Sequence, residues 1–389
     1  MRSTFVLRVL AAYALCRIFS VVLLAVVSHY QAAVEFWGTG PHPNYFSMTV
    51  LWDGFWYRQV AEFGYPPALP IDVVTGAVHE NAWAFYPAFP MMARGLMAVT
   101  GLGFPVVGST LALVLGFGAA VVMGLLFRDR VGPKVALATV AVFAACPVSP
   151  SLQIAYTESL AILLLCGFLW AISKERWLVT AGLALLVGLT RGMALPLAIV
   201  ALVAVFLRWR RRTEDPISAR EGWSALAALG SCGAAGLIWP AIVGFVVGSP
   251  MAYTDTMGAW SIGGSVQLLR PWLEYLDQPW NAVKVALALL LIVAMTVGPW
   301  AWRLGAELRT WTLAYTAYLI LVDAPSTSLF RHLLPLFPLI VVAIGGGWRD
   351  RPARWMAWRT AFLILAGLAG QVWWVWALLR FVPPVDFPP

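Results

Sequence analysis

Ionisable side chains are scarce in this chain, and those outside its apolar runs recur in a few short aromatic contexts. The first is VLWDGFWYRQVAEFGYP, Val50 to Pro66, where Asp53 stands between a tryptophan and a glycine. Read as a helix, it puts Trp52, Trp56, Val60 and Phe63 on one arc. Arg58 and Glu62 lie opposite at the four-residue spacing of an ion pair, and Gly64 is placed to stop the helix. Such a helix lies in a membrane interface, and its dipole favours a charged carboxylate at its first turn. A carboxylate there can take a proton from a hydroxyl, as a general base does. An N-cap explains the same position equally well.

Five further stretches carry candidate chemistry. HENAWAFYPAFPMMARGL begins with the adjacent ionisable residues His79 and Glu80 and reads as an interfacial elbow kinked at Pro87 and Pro90. AYTESLAILLL places Glu158 at the start of an apolar run, where a carboxylate is either a functional group or a helix-start residue. GLTRGMALP holds Arg191 inside an apolar run, and a buried guanidinium requires an anion, either a protein carboxylate or a phosphate. YTDTMGAW sets Asp255 among aromatics. APSTSLFRHLLPLFP offers Arg331 and His332 at a helix start, suited to clamping a phosphate, with a snorkelling arginine as the alternative.

The elements that must position these residues are membrane helices. Of the 389 residues, 61% are hydrophobic and 11% charged, against about 25% charged in an average soluble domain. Apolar runs of membrane-spanning length recur from end to end, and the 21 tryptophans suit membrane interfaces. Placing Lys- and Arg-bearing loops in the cytoplasm gives about eleven spans: 9–29, 104–127, 134–149, 153–172, 177–207 split in two near Thr190-Arg191, 223–248, 281–302, 310–323, 332–347 and 360–380. The retained first span follows a cytoplasmic N-terminus, and the tail PPVDFPP ends outside. Every cluster of three or more basic residues then lies inside. The net charge of +8 therefore reads as topology, and nucleic acid is excluded as a partner. The two outer loops, 30–103 with interfacial helices and 249–280, carry seven of the candidate residues, and the others stand at or near the ends and breaks of spans. No linker divides the chain, so residues 1–389 read as one all-α polytopic domain.

Several chemistries are not indicated. Cys16, Cys146, Cys166 and Cys232 lie in apolar segments without metal-binding spacing, so neither a disulfide framework nor a zinc site is expected. No phosphate-loop, dinucleotide or metalloprotease motif occurs, and no cofactor is expected. A nucleotide-sugar donor is cytoplasmic, whereas these residues face out. A sugar donor on the outer leaflet has to be lipid-borne.

Taken in order, WDGFWYRQVAEFGYP, AFYPAFPMMARGL, AYTESL, GLTRGMAL, YTDTMGAW and FRHLLPLFP resemble the motif series of the PIG-V family. That family is the mannosyltransferase of the second mannose of glycosylphosphatidylinositol anchors, with bacterial, chiefly actinobacterial, relatives. The resemblance implies a GT-C glycosyltransferase fold in the cell membrane with an outward-facing site. It also implies an inverting transfer of mannose from polyprenyl-phosphate mannose to a hydroxyl of a glycolipid or related acceptor. Asp53 corresponds to the presumed base. Arg191, Arg331 and His332 are the candidates for the donor phosphate, and Trp52, Tyr57, His79, Glu80, Tyr86, Tyr156, Glu158 and Asp255 for the sugar or acceptor. A lipid-linked sugar flippase or transporter is the competing reading, and a membrane O-acyltransferase ranks below it.

Overall fold

The computed structural model describes residues 2–261, 264–384 and 388–389, so part of the tail expected outside, 385–387, lies beyond the described residues. Among these residues the chain is helical from end to end, with two isolated β-bridges, Val34 with Thr39 and Ile71 with Val78. Four helices are long and apolar enough to cross a membrane: Ser3–Ser28, Phe104–Val131, Pro279–Val297 and Met356–Leu379. A fifth candidate is the pair Ala219–Ala235 and Ile238–Val247, bent by 53°. Pro133–Ala145, Glu158–Ser173 and Trp177–Gly188 are shorter apolar helices. This is the build of a membrane-embedded all-α protein.

Several expected spans are interrupted, each with a local cause. The run 177–207 forms two helices, Trp177–Gly188 and Leu195–Arg210, with Thr190 and Arg191 in the break between them. Gly188 meets the Ala235 backbone so closely that a Cβ there would overlap the Ala235 carbonyl, so this break and the bend of the 219–247 pair touch one another. The segment 332–347 is not one helix. It is a turn Leu329–His332, a 3₁₀ turn Leu334–Leu336 and a short helix Pro338–Ala343. Pro335 and Pro338 each remove a backbone donor, and three consecutive glycines, Gly345 to Gly347, follow.

The opening motif folds as a helix over Asp53–Phe63, and Gly64 ends it at φ +84°. Arg58 and Glu62 pair at 2.8 Å. Val60 and Trp52 are buried and Trp56 is half-buried, but Phe63 is exposed. The buried face packs on Phe85 and Phe89 of the next segment and on Phe104, Val107 and Leu111 of the helix Phe104–Val131. Trp260 joins from the 249–280 loop, with ring centroids 5.3 Å from Trp56 and 5.5 Å from Phe85. Asn81 and Thr256 exchange side-chain hydrogen bonds beneath them. The two long loops thus form one aromatic layer over one end of the helices.

The helices are also polarised by charge. Phe104–Val131 starts in that aromatic layer and ends with Arg128 and Arg130; Leu195–Arg210 starts beside Arg191 and ends with Arg208 and Arg210. Arg130 pairs with Glu307 at 2.9 Å, near the start of Gly305–Val322, whose other end is Asp323.

Candidate functional site

Four charges meet beneath the aromatic layer, and each comes from a discontinuity in a helix. Asp53 and Glu158 are first residues of the helices Asp53–Phe63 and Glu158–Ser173. Both helix dipoles therefore favour a carboxylate at that point. Arg191 lies in the break after Gly188, and Arg331 in the turn Leu329–His332. Arg331 Nη1 donates to Asp53 Oδ2 at 2.8 Å and to Glu158 Oε1 at 2.9 Å. Arg191 Nη1 donates to the same Glu158 Oε1 at 2.8 Å. The result is an alternating line, Asp53, Arg331, Glu158, Arg191. Its inner members are buried, with 2% of the Arg331 side chain and 4% of Glu158 exposed. Its ends are open, with 28% of Asp53 and 19% of Arg191 exposed. Glu158 Oε2 is buried without a hydrogen-bond partner.

The local backbone explains the presentation of Asp53. Its helix is capped by Trp52, at φ 57° and ψ −124°, with no side-chain capping bond, so Asp53 does not serve as the N-cap. Positive φ at a bulky non-glycine residue is strained, and such strain persists only where the surroundings enforce it. Here Trp52 is buried against Trp37 and Phe381, and its indole N–H donates to the Leu379 carbonyl at 3.0 Å. The Tyr156 hydroxyl donates to the Leu51 carbonyl at 3.0 Å, and the Ala155 amide to the Thr49 carbonyl at 2.9 Å. These bonds tie the approach to Asp53 to the approach to Glu158. The Arg331 guanidinium lies 5.0 Å above the Tyr156 ring.

The other candidates are distributed unevenly around this line. Trp52, Tyr57 and Tyr156 are buried: Tyr57 packs edge-on against Phe85 and Phe89, and Tyr156 has committed its hydroxyl to Leu51. These three pack behind the four-charge line rather than on an open surface. Tyr86 is half-buried, its hydroxyl 3.0 Å from that of Tyr253, and a Cβ on Gly192 would stand 3.2 Å from it. His332 does not face the two arginines' carboxylates; its Nδ1 bonds Asp323, and Tyr315 donates to its carbonyl at 2.8 Å. His79 pairs across its loop with Asp72 at 3.8 Å, and the amides of Thr75 and Val74 hold Asp72 below its ordinary value. Glu80 and Asp255 are exposed. Among the described residues, His79 and Asp255 make no hydrogen bond or ion pair with the four-charge line.

Three contributors were not singled out from the sequence. Asp323 ends a helix at LILVDAPS, the kind of position that drew attention to Glu158. Tyr318 donates its hydroxyl to the Gly192 carbonyl in the Arg191 break, and nothing in its context distinguishes it from a core tyrosine. Arg17 sits within the first span and is 2% exposed, its guanidinium donating to the carbonyls of Ala144 and Ser149 and to Ser149 Oγ. An arginine inside an apolar run was the available signal.

The arrangement offers an accessible carboxylate to receive a proton and, at the far end of the line, a guanidinium to face an anion. Among the described residues, no group of three or more His, Cys, Asp and Glu side chains stands close enough to hold a metal ion. Compared with protein-family models and with curated proteins, the chain matches none.

Proposed function

We propose that this chain is an inverting mannosyltransferase of GT-C type, with about eleven spans counting broken and short ones, and with its site on the outer face of the cell membrane. It moves mannose from polyprenyl-phosphate mannose to a hydroxyl of a glycolipid or related acceptor. The observation that carries the reading is the line Asp53, Arg331, Glu158, Arg191, with an open carboxylate at one end and an open guanidinium at the other. It assembles residues of four of the six motifs that resemble the PIG-V series.

Asp53 takes the proton of the acceptor hydroxyl as that oxygen attacks C1 of the sugar. The bond from C1 to the phosphate oxygen breaks, and the lipid phosphate leaves with the charge that Arg191 stabilises. Arg191 suits the phosphate better than Arg331, whose Nη1 is shared between two carboxylates and which is 2% exposed. Glu158 holds both guanidinium groups in place. The phosphate is already a fair leaving group, so the step calls on no general acid and no cofactor. A transporter reading draws on the 53° bend of the 219–247 pair and the break at Arg191. The gathering of ionisable residues at one end of the helices favours transfer. Purified protein mixed with polyprenyl-phosphate mannose and lipid extract in detergent decides between them: a mannosylated lipid supports the enzyme, and none supports the transporter.

A further inference from the structure

At the other end of the helix Gly305–Val322, about 27 Å from Asp323 at 1.5 Å per residue, lies a cavity of about 1230 Å³. One side is lined by four arginines, Arg349, Arg351, Arg354 and Arg359, against a single acid, Asp350. Among the described residues, none of these arginines makes a side-chain hydrogen bond or ion pair. Arg349 lies 5.3 Å over the Trp302 ring and Arg354 5.5 Å over Trp355. The opposite side is apolar, including Leu291, Ala294 and Met295 of the helix Pro279–Val297. That helix buries only 6% of its apolar window, so its remaining surface faces lipid.

The cavity is built rather than incidental. A Cβ on Gly346 would overlap the Val135 side chain, and one on Gly347 the Trp300 carbonyl. Gly345 holds φ +80°, open to glycine at no steric cost. The Ala353 amide donates to the Gly345 carbonyl at 2.7 Å, and the Arg303 amide to the Gly347 carbonyl at 3.1 Å. The three glycines thus fold the arginine-bearing loop tightly against Trp300, whose indole is anchored on the Ala294 carbonyl at 2.9 Å. Trp302 and Trp348 are exposed at the rim, where tryptophans mark the level of lipid headgroups.

We infer that this cavity seats an anionic phospholipid of the leaflet facing it, with the phosphate headgroup on the arginines and an acyl chain along Leu291 and Met295. The uncompensated arginine charge complements a headgroup of net negative charge, and the apolar wall complements its acyl chain; a free phosphate lacks the chain, and a zwitterionic lipid brings its own cation to the arginines. The full chain in phosphatidylcholine nanodiscs, titrated with a fluorescent short-chain phosphatidylglycerol, tests this. Unlabelled phosphatidylglycerol should displace the probe, whereas phosphatidylcholine and inorganic phosphate should not. The double variant Arg351→Gln/Arg354→Gln should bind the probe about tenfold more weakly or worse. Equal displacement by phosphatidylcholine or by inorganic phosphate overturns the inference, as does unchanged affinity in the variant. If the variant does not fold, the competition series on the unsubstituted chain decides alone. No sugar transfer is read, so failure of the proposed activity leaves this outcome intact.

Discussion

Asp53 and Glu158 are both carboxylates at helix starts, yet their surroundings assign them different work. Asp53 is partly open and shares Arg331 with Glu158, so Asp53→Asn keeps an acceptor for that guanidinium. We expect sugar transfer to fall by about 10²–10⁴-fold, the usual contribution of a general base. Stability should fall by only about 2 kcal/mol, as for one hydrogen bond to a charged group. Glu158→Gln removes the carboxylate that Arg191 pairs with and one of the two that hold the buried Arg331. Breaking a buried pair from one side costs about 3–5 kcal/mol, so this variant should lose folded protein in detergent melting curves before its activity can be read. If the reverse holds, with Asp53→Asn unfolded and Glu158→Gln folded and inactive, the two roles are exchanged. Arg191→Lys keeps the charge but not the planar fork. It should raise the KM for the lipid-phosphate donor by about tenfold with the fold intact.

At the scale of elements, the site exists because helices stop where an unbroken helix would carry the side chains past one another. The break at 189–194 turns Arg191 back toward Glu158, and the Thr157 hydroxyl, donating to the Thr190 carbonyl at 3.3 Å, ties that break to the neighbouring helix start. Gly188 allows the broken helix to lie against Ala235. Gly188→Val should therefore force the two bent segments apart and cost about 1–3 kcal/mol, read as a lower melting temperature. Arg17 pins the first helix to the turn at Ala144 and Ser149. Arg17→Met removes a side-chain donor from the buried Ser149 carbonyl and one of two side-chain donors to the Ala144 carbonyl, which keeps the Ser149 hydroxyl, and should cost about 1–3 kcal/mol. The break at Thr190-Arg191 is legible in the sequence, from the buried charge, Pro196 and the basic residues that follow, whereas 332–347 reads as one span although Pro335 and Pro338 interrupt it. The 53° bend of the 219–247 pair carries a similar mark, Gly236 at the break and Pro240 just after it, yet the sequence reading takes 223–248 as one span.

For the whole molecule, the polarity of charge gives the most accessible test. Arg128, Arg130, Arg208 and Arg210 stand at helix ends away from the Asp53 line, and the proposed outward site rests on reading them by the positive-inside rule. Val73, 98% exposed in the first long loop, and the exposed Trp358 near the opposite end are suitable reporters. In intact cells, cysteine at 73 should react with a membrane-impermeant maleimide, and cysteine at 358 only after permeabilisation. Two of the four native cysteines are buried and two half-buried, which keeps the background low. Labelling of position 358 alone in intact cells would invert the assignment and with it the outward site.

Composition and apolar run length alone determined the helical membrane class, because continuous apolar runs of about 20 residues satisfy their backbone in lipid as helices, whereas barrel strands are about ten residues long and alternate apolar with polar. The same local reading located Asp53, Glu158, Arg191 and Arg331, since each is an ionisable residue where greasy sequence is interrupted. It could not say that the four would touch. Their separations along the chain reach 278 residues between Asp53 and Arg331, and only packing brings such distant positions together. Nor could it separate the buried Tyr156 from the more accessible Tyr86, or give His332 to Asp323, because which face of a helix turns inward is decided by its neighbours.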